Sequence, residues 1–217
     1  MIQYFHRIWK YLLLASILLG LIGYQYKTPI RLATKNFLYR QLALYNYGSE
    51  LQILGKQYDL PWEYLLSLTI LECSGKSPCG SRYEKHIFTK LQEVRDGKRP
   101  SFEEVHRKDV AGLTDEALQN LATSWGPFQI MGYHCIGLSS TTSTVTVSDL
   151  RGPDALHYSV RWVHDTYGKL LQNKRYEDAF HMHNTGHVIS SNGIVDTYDP
   201  LYIDHGKEHM EYFTKKN

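Results

Sequence analysis

The sequence predicts a mostly α-helical domain preceded by a short apolar N-terminal segment. Three observations carry that expectation. Apolar residues recur at spacings of three and four over residues 41–57 and 153–171. The stretches between such segments offer no hairpin signature. The remaining apolar run, YLLLASILLGLIGY at residues 11–24, carries no charge and sits at the extreme N-terminus. A chain of 217 residues is long enough for one domain with a real core plus an appendage.

Arg7 and Lys10 precede the apolar run, which gives the layout of a signal sequence with a basic n-region and an apolar h-region. Leu21 stands where a small residue would be needed for cleavage after Gly23, so residues 1–26 read as a signal anchor or uncleaved signal sequence. The run is short beside the roughly 20 residues that span a bilayer, though Ile8 and Trp9 extend it around Lys10. A buried core helix is the alternative; the terminal position and basic flanks weigh against it. Lys27, Arg31, Lys35 and Arg40 follow with no acid among them, making residues 27–40 a basic linker. The positive-inside rule alone would place that side in the cytoplasm.

From residue 41 to 217 the chain reads as one domain of helices joined by loops. Leu44, Tyr47, Leu51, Leu54 and Tyr58 share one helical face. A second helix starts at Pro61, tolerated in a first turn, and runs through WEYLLSLTILE to about Cys73. Ser101 and Glu104 have capping-box spacing and are expected to start a short helix. Thr114 can cap another, with Asp115 and Glu116 complementing its dipole. Leu156, Val160, Val163, Tyr167 and Leu170 form a further stripe, and YEDAFHMH at 176–183 is expected to be the last short helix. SSTTSTVTVS, residues 139–148, reads as a loop able to hold a short strand.

Charge is nearly balanced, 24 basic against 22 acidic residues, which gives no field that argues for nucleic acid. The 17 tyrosines offer apolar faces with a polar edge, suited to core packing and to carbohydrate. Cys73, Cys79 and Cys135 are odd in number, so at least one is unpaired or pairs between chains. An oxidising compartment would allow a small 73–79 disulfide loop, but nothing in the sequence fixes its geometry.

Glu72 is the most informative residue. It lies on the same face as Leu65, Leu68 and Thr69, and Leu66, Ile70 and Leu71 make the rest of that helix apolar. A desolvated carboxyl holds its proton to higher pH and can serve as a general acid toward a glycosidic oxygen. The alternative is a structural Glu paired with a buried Arg or Lys. In SWGPFQIMGYH, residues 124–134, Gln129 is a polar amide among Trp125, Phe128, Ile130 and Met131, with Gly126, Pro127 and Gly132 shaping the backbone. It either satisfies nearby backbone or faces a pocket. In HMHNTGH, residues 181–187, Asn184 can cap a helix end or bind a sugar acetamido group.

The order of these blocks resembles the superfamily of soluble lytic transglycosylases and goose-type lysozymes. Many of its members read E-S-G, G-L-M-Q-I and Y-N-A-G. This chain has ECSG at 72–75, GPFQIMG at 126–132 and HNTG at 183–186. SRYEKHIF at 81–88 is also similar to the ERHIF-like segment of phage-type N-acetylmuramidase domains. Each motif is short; together, in order over about residues 45–213, they imply a lysozyme-like helical fold. The resemblance implies cleavage of the β-1,4 bond between N-acetylmuramic acid and N-acetylglucosamine in peptidoglycan, with Glu72 as acid and base. Gln129 would line the glycan groove and Asn184 would bind near the acetamido group. His183 departs from the usual Tyr and would have to substitute for it. Glu84, Ser124 and Tyr133 complete the expected substrate-binding set. No cofactor is implied.

A wall-cutting enzyme must face the wall, so function overrides the charge count. The expectation is an inner-membrane-anchored protein with its catalytic domain in the periplasm, partnered by glycan strands, the membrane and an envelope-spanning machine. A single-acid lytic transglycosylase forming a 1,6-anhydro sugar is expected. A hydrolytic muramidase would need a second acid such as Glu84, whose alternative is a surface Glu paired with Lys85 or His86. Three rivals stand beside this reading. His183 and His187, with Asp196, Asp204 and His205, suggest a zinc site, but no tight ligand spacing supports it and no metal is expected. Cys73 beside Glu72 suggests a cysteine peptidase, without a nucleophile signature. A non-catalytic glycan-binding module is the third.

Overall fold

The computed structural model describes residue 16 and residues 31–216. The chain divides into two compact units, residues 1–39 and 40–217. In the first, residues 31–39 are helical. The expected anchor, residues 1–26, lies outside the described residues apart from Ser16. Among the described residues no helix is long and apolar enough to cross a membrane.

In the second unit the helical residues 40–43 lead into a π-helical turn, Leu44–Gly48, that runs directly into α1 (Ser49–Tyr58). Tyr47, Leu51 and Leu54 turn inward as their spacing requires. After the turn at Asp59 comes α2 (Trp62–Cys73), with Pro61 at its N-cap. Residues 64–70 of α2 are all buried, so this helix is enclosed by the others rather than laid on a surface. Its two buried aliphatic hydroxyls are satisfied within the helix: Ser67 Oγ donates to the Glu63 carbonyl and Thr69 Oγ1 to that of Leu66. The ECSG segment is its stop signal. Ser74 has φ 57° and donates its N–H to Ile70, while Gly75, at φ 69°, donates to Thr69. That Schellman-type closure ends the helix at Cys73, one residue after Glu72.

A small three-stranded antiparallel sheet follows, with strand order β1 (Arg82–Tyr83), β4 (Thr123–Trp125), β5 (Ile130–Met131). Between β1 and β4 lie α3 (Lys85–Arg95), a hairpin of β2 (Ser101–Phe102) and β3 (Val105–His106), α4 (Arg107–Val110) and α5 (Asp115–Leu121). The fold is mostly helical as expected, but the hairpins correct the expectation of helices joined only by loops. Residues 101–104 do not start a helix: Phe102 pairs with Val105, and Glu103 occupies the turn at φ 49°. The capping box is built instead by His106 and Asp109, which start α4. Thr114 caps α5 as its position suggests, accepting from the Ala117 N–H.

In the hairpin of β4 and β5, Gly126 (φ 74°) and Gln129 (φ 49°) make the turn, closed by Gln129 N–H to the Gly126 carbonyl. Gly132 is needed for a different reason, because a Cβ there would lie 2.3 Å from the Asn120 carbonyl oxygen. Then come α6 (His134–Leu138), the 139–146 loop, α7 (Val147–Arg151), α8 (Ala155–Gln172) and α9 (Tyr176–Thr185). Helix α8 is kinked at Tyr167, where φ is −143°.

Residues 202–216 form a helix that periodicity did not reveal, α10 (Tyr202–Lys216). It packs along α2 more extensively than any other pair of elements meets. Tyr202 reaches Glu72 at the C-terminal end of α2, and the Phe213 ring lies 6.3 Å from Trp62 at the other end. The two helices are therefore antiparallel.

Candidate active site

Glu72 occupies the last turn of α2, where the helix dipole disfavours an anion. Its side chain is 18 % exposed. Burial raises its carboxyl from 4.5 to about 7, against the opposing pull of a hydrogen bond donated by the Tyr202 hydroxyl to Oε1. Tyr202 is itself pushed well above the usual phenol range by burial and by the Glu72 charge, so it remains a donor.

His183 Nε2 lies 3.7 Å from Glu72 Oε1, yet the pair is not an ion pair. The ring is held by two other bonds, Nε2 to the Phe128 carbonyl at 3.0 Å and Nδ1 to the Tyr167 hydroxyl at 2.6 Å. A carbonyl only accepts, so Nε2 carries the proton and Nδ1 accepts from Tyr167. Burial lowers the His183 pKa to about 4, consistent with that neutral tautomer. The Tyr167 kink thus supports a fixed, uncharged imidazole wall beside the carboxyl. Tyr64, fully buried on α2, packs edge-on against Tyr167 beneath it, centroids 6.4 Å apart.

The His183 ring also borders a cleft of about 740 Å³, together with Phe128, Gln129, Tyr133, His134, Trp162 and Asn184. Glu72 is not among the residues that line this cleft; it meets the cleft through His183. Trp162 offers a sugar-sized aromatic face there, its ring 5.7 Å from His183.

The other expected site residues fall into place differently. Gln129 lines the cleft, but its amide is committed to the fold: Nε2 donates to the Gly80 and Gly126 carbonyls, and Oε1 accepts from Ser124 Oγ. Ser124 is buried and acts as that partner. Tyr133 is buried, with its ring 4.3 Å from that of His134. Asn184 is exposed, and its Oδ1 accepts from the Tyr198 N–H at 3.1 Å, which leaves its amide nitrogen toward solvent. Glu84 borders the cleft and is held by Arg82 at 2.8 Å and His86 at 3.5 Å. Glu104, also on the cleft, is bonded to His134 at 2.7 Å; burial opposes its ionisation, but that partner wins and lowers its pKa.

Three side chains at the candidate site were not singled out as such from sequence: Tyr202, Tyr167 and Trp162. The abundance of tyrosine was the available signal, and it does not say which ones converge. Cys73, Cys79 and Cys135 are free thiols. Cys73 and Cys79 both donate to the Lys76 carbonyl. Their shared hydrogen bond, with burial, pushes the Cys73 thiol up; it lowers Cys79 to about 7. A thiol held protonated beside Glu72 does not serve as a nucleophile. Of the residues that suggested zinc, His205 pairs with Asp199 and His183 is used as above, while His187 and Asp196 meet each other at 3.5 Å.

No family model and no curated protein matches this sequence. Among solved structures, the chain is similar to the crystal structure of Burkholderia AP3 phage endolysin, at 20 % identity and a TM-score of 0.51. The match covers 77 % of this chain and 71 % of that one. At this identity the likeness is one of fold, and it supports the mostly helical architecture.

Proposed function

We propose that the unit from residue 40 onward cleaves the glycan strands of peptidoglycan, with Glu72 as the acid. The observation that carries this is a carboxyl brought to about 7 by burial and trimmed by one phenolic donor. A group poised there gives a proton to a leaving oxygen and takes one back near neutral pH. The fold it shares with a phage endolysin supports the same reading. So do the wall-like His183 and the aromatic cleft beside it.

Within that reading we favour the single-acid outcome. Glu72 protonates the glycosidic oxygen, and the bond to the leaving sugar breaks. The acetamido group of the remaining sugar stabilises the anomeric carbon. Its 6-hydroxyl then attacks that carbon and returns its proton to Glu72, leaving a 1,6-anhydro ring. Among the described residues, a phenol hydrogen-bonds the Glu72 carboxyl and a neutral imidazole lies beside it. Glu84 lines the cleft that His183 borders, so the competing product is the one a muramidase would give. The reading places the domain outside the cytoplasmic membrane, where its substrate lies, with residues 11–24 as leader or anchor.

Digestion of purified cell wall tests this. Wild-type protein should release fragments ending in anhydro-muramyl sugars, and Glu72→Gln should release none while still sedimenting with the wall. Free reducing ends would replace the lyase by a hydrolase. Unimpaired digestion by Glu72→Gln would remove the assignment altogether.

A further inference from the structure

His181, His187 and Asp196 bring one ligand atom each to a common point, all within 4.8 Å of one another. They lie on α9 and on the segment that links it to α10. We propose that these three residues bind a divalent transition metal of the zinc class.

The hydrogen bonds around His181 argue for a metal more strongly than the cluster does. Its side chain is fully buried. Its Nδ1 faces the His187 carbonyl at 2.7 Å, and a carbonyl only accepts, so the proton sits on Nδ1. The Thr185 hydroxyl, 3.1 Å from Nδ1 and itself donating to the His181 carbonyl, steadies the ring from the same side. Nε2 is thereby left with its lone pair outward. The Asp196 backbone N–H points at that lone pair from 3.4 Å. Asp196 Oδ1 stands 2.8 Å from it. That is a hydrogen-bond distance, which a proton bridges; a metal held by both atoms would displace that proton and spread them by a few tenths of an ångström. A buried imidazole whose far nitrogen is fixed by a carbonyl is the arrangement that orients histidine toward a metal.

His187 supplies the third ligand, with Nε2 at 3.5 Å from Asp196 Oδ2 and its ring 5.0 Å from that of His181. Tetrahedral zinc with bonds of ~2.0–2.1 Å holds its ligand atoms about 3.3 Å apart. His187 and Asp196 are each 55 % exposed, so they are free to make the small adjustment needed. Two imidazoles and a carboxylate suit zinc, cobalt or nickel and are a poor set for calcium or magnesium, which take oxygen ligands. Three protein ligands leave one position open to water. The ion would tie the 187–196 segment back onto α9, a few residues from Asn184 and on the path to Tyr202.

The test uses the full chain, purified without a histidine tag, stripped by chelator and then titrated with zinc and with cobalt. One zinc per chain should bind, and thermal unfolding should shift upward. Magnesium and calcium should do neither. His187→Ala and Asp196→Ala, both at exposed positions, should keep the wild-type circular dichroism. Lost outer partners alone weaken metal sites roughly 10–100-fold, so losing a ligand should cost at least about 100-fold in affinity. Cobalt should give the visible absorption of a nitrogen–oxygen site. Failure to bind zinc means that a proton alone occupies the gap and overturns the proposal. So does binding unchanged in both variants, or a cobalt–thiolate charge-transfer band, which would put the ion on the cysteines.

Discussion

Replacing Glu72 by Gln should make the protein more stable at alkaline pH while leaving it inactive. In the folded chain the carboxyl titrates at about 7, against 4.5 for a solvated carboxyl. The folded state therefore holds more protons than the unfolded state between those two values, and stability falls as pH rises through that window. The deficit is absent below 4.5 and complete above about 7. At about 1.4 kcal/mol per pH unit it amounts to about 3 kcal/mol. Glutamine has the same shape and cannot ionise, so it escapes the deficit. The quantity to measure is the stability difference between variant and wild type, by denaturant unfolding at about pH 4 and about pH 8.5. Other titrating groups are common to both proteins and cancel in that difference. It should grow by about 3 kcal/mol from the acid to the alkaline condition, or roughly 6–12 °C in melting temperature for a domain of this size. A difference that is flat to within about 0.5 kcal/mol would show that the carboxyl is not desolvated and would sink its role as a neutral-pH acid.

Tyr202→Phe removes a donor that favours the ionised carboxyl, so the Glu72 pKa should rise by roughly one to two pH units, the equivalent of a hydrogen bond to a charged group. Carbon-13 titration of the side-chain carboxyl reads this directly, and a downward shift would contradict it. Gln129→Asn keeps a residue that tolerates positive φ but cannot reach Gly80; it should cost about 1–3 kcal/mol in denaturant unfolding. A change confined to substrate affinity would mean that the amide serves the glycan rather than the hairpin. Gly132→Ala forces a Cβ against the Asn120 carbonyl and should cost about 1–3 kcal/mol; unaltered melting would refute that close approach. Cys73→Ser should retain wall digestion, and its loss would reopen a thiol mechanism.

The sequence made the site's centre legible because its pattern was redundant there. An apolar run from Tyr64 to Leu71, closed by a carboxyl and a Ser-Gly stop, names Glu72 by contrast with its neighbours. The partners of that carboxyl were hidden for a physical reason. Helix α10 buries Tyr202, Ile203, Gly206, His209 and Phe213, a regular helical face. Two of those positions are a glycine and a histidine, which a search for apolar periodicity does not score. Gly206 is small because the Phe180 ring would lie 2.7 Å from a Cβ, and His209 is paid for by a bond from Arg40. The hairpin at 101–106 was missed similarly. Its turn places Glu103 in a conformation usually reserved for glycine, so the expected turn residues are absent. His183 was legible as a departure from the family pattern, but its neutral tautomer follows only from the Phe128 carbonyl and Tyr167, which the fold brings in.

The antiparallel pairing of α2 and α10 joins Glu72 to a hydroxyl 130 residues further along the chain. During synthesis or export from the N-terminus, the helix that bears the carboxyl is complete long before the helix that encloses it. Until α10 docks, Glu72 lacks the phenolic donor that it has in the folded chain. A chain that stops short of Tyr202 therefore carries Glu72 on a finished helix without its hydroxyl partner.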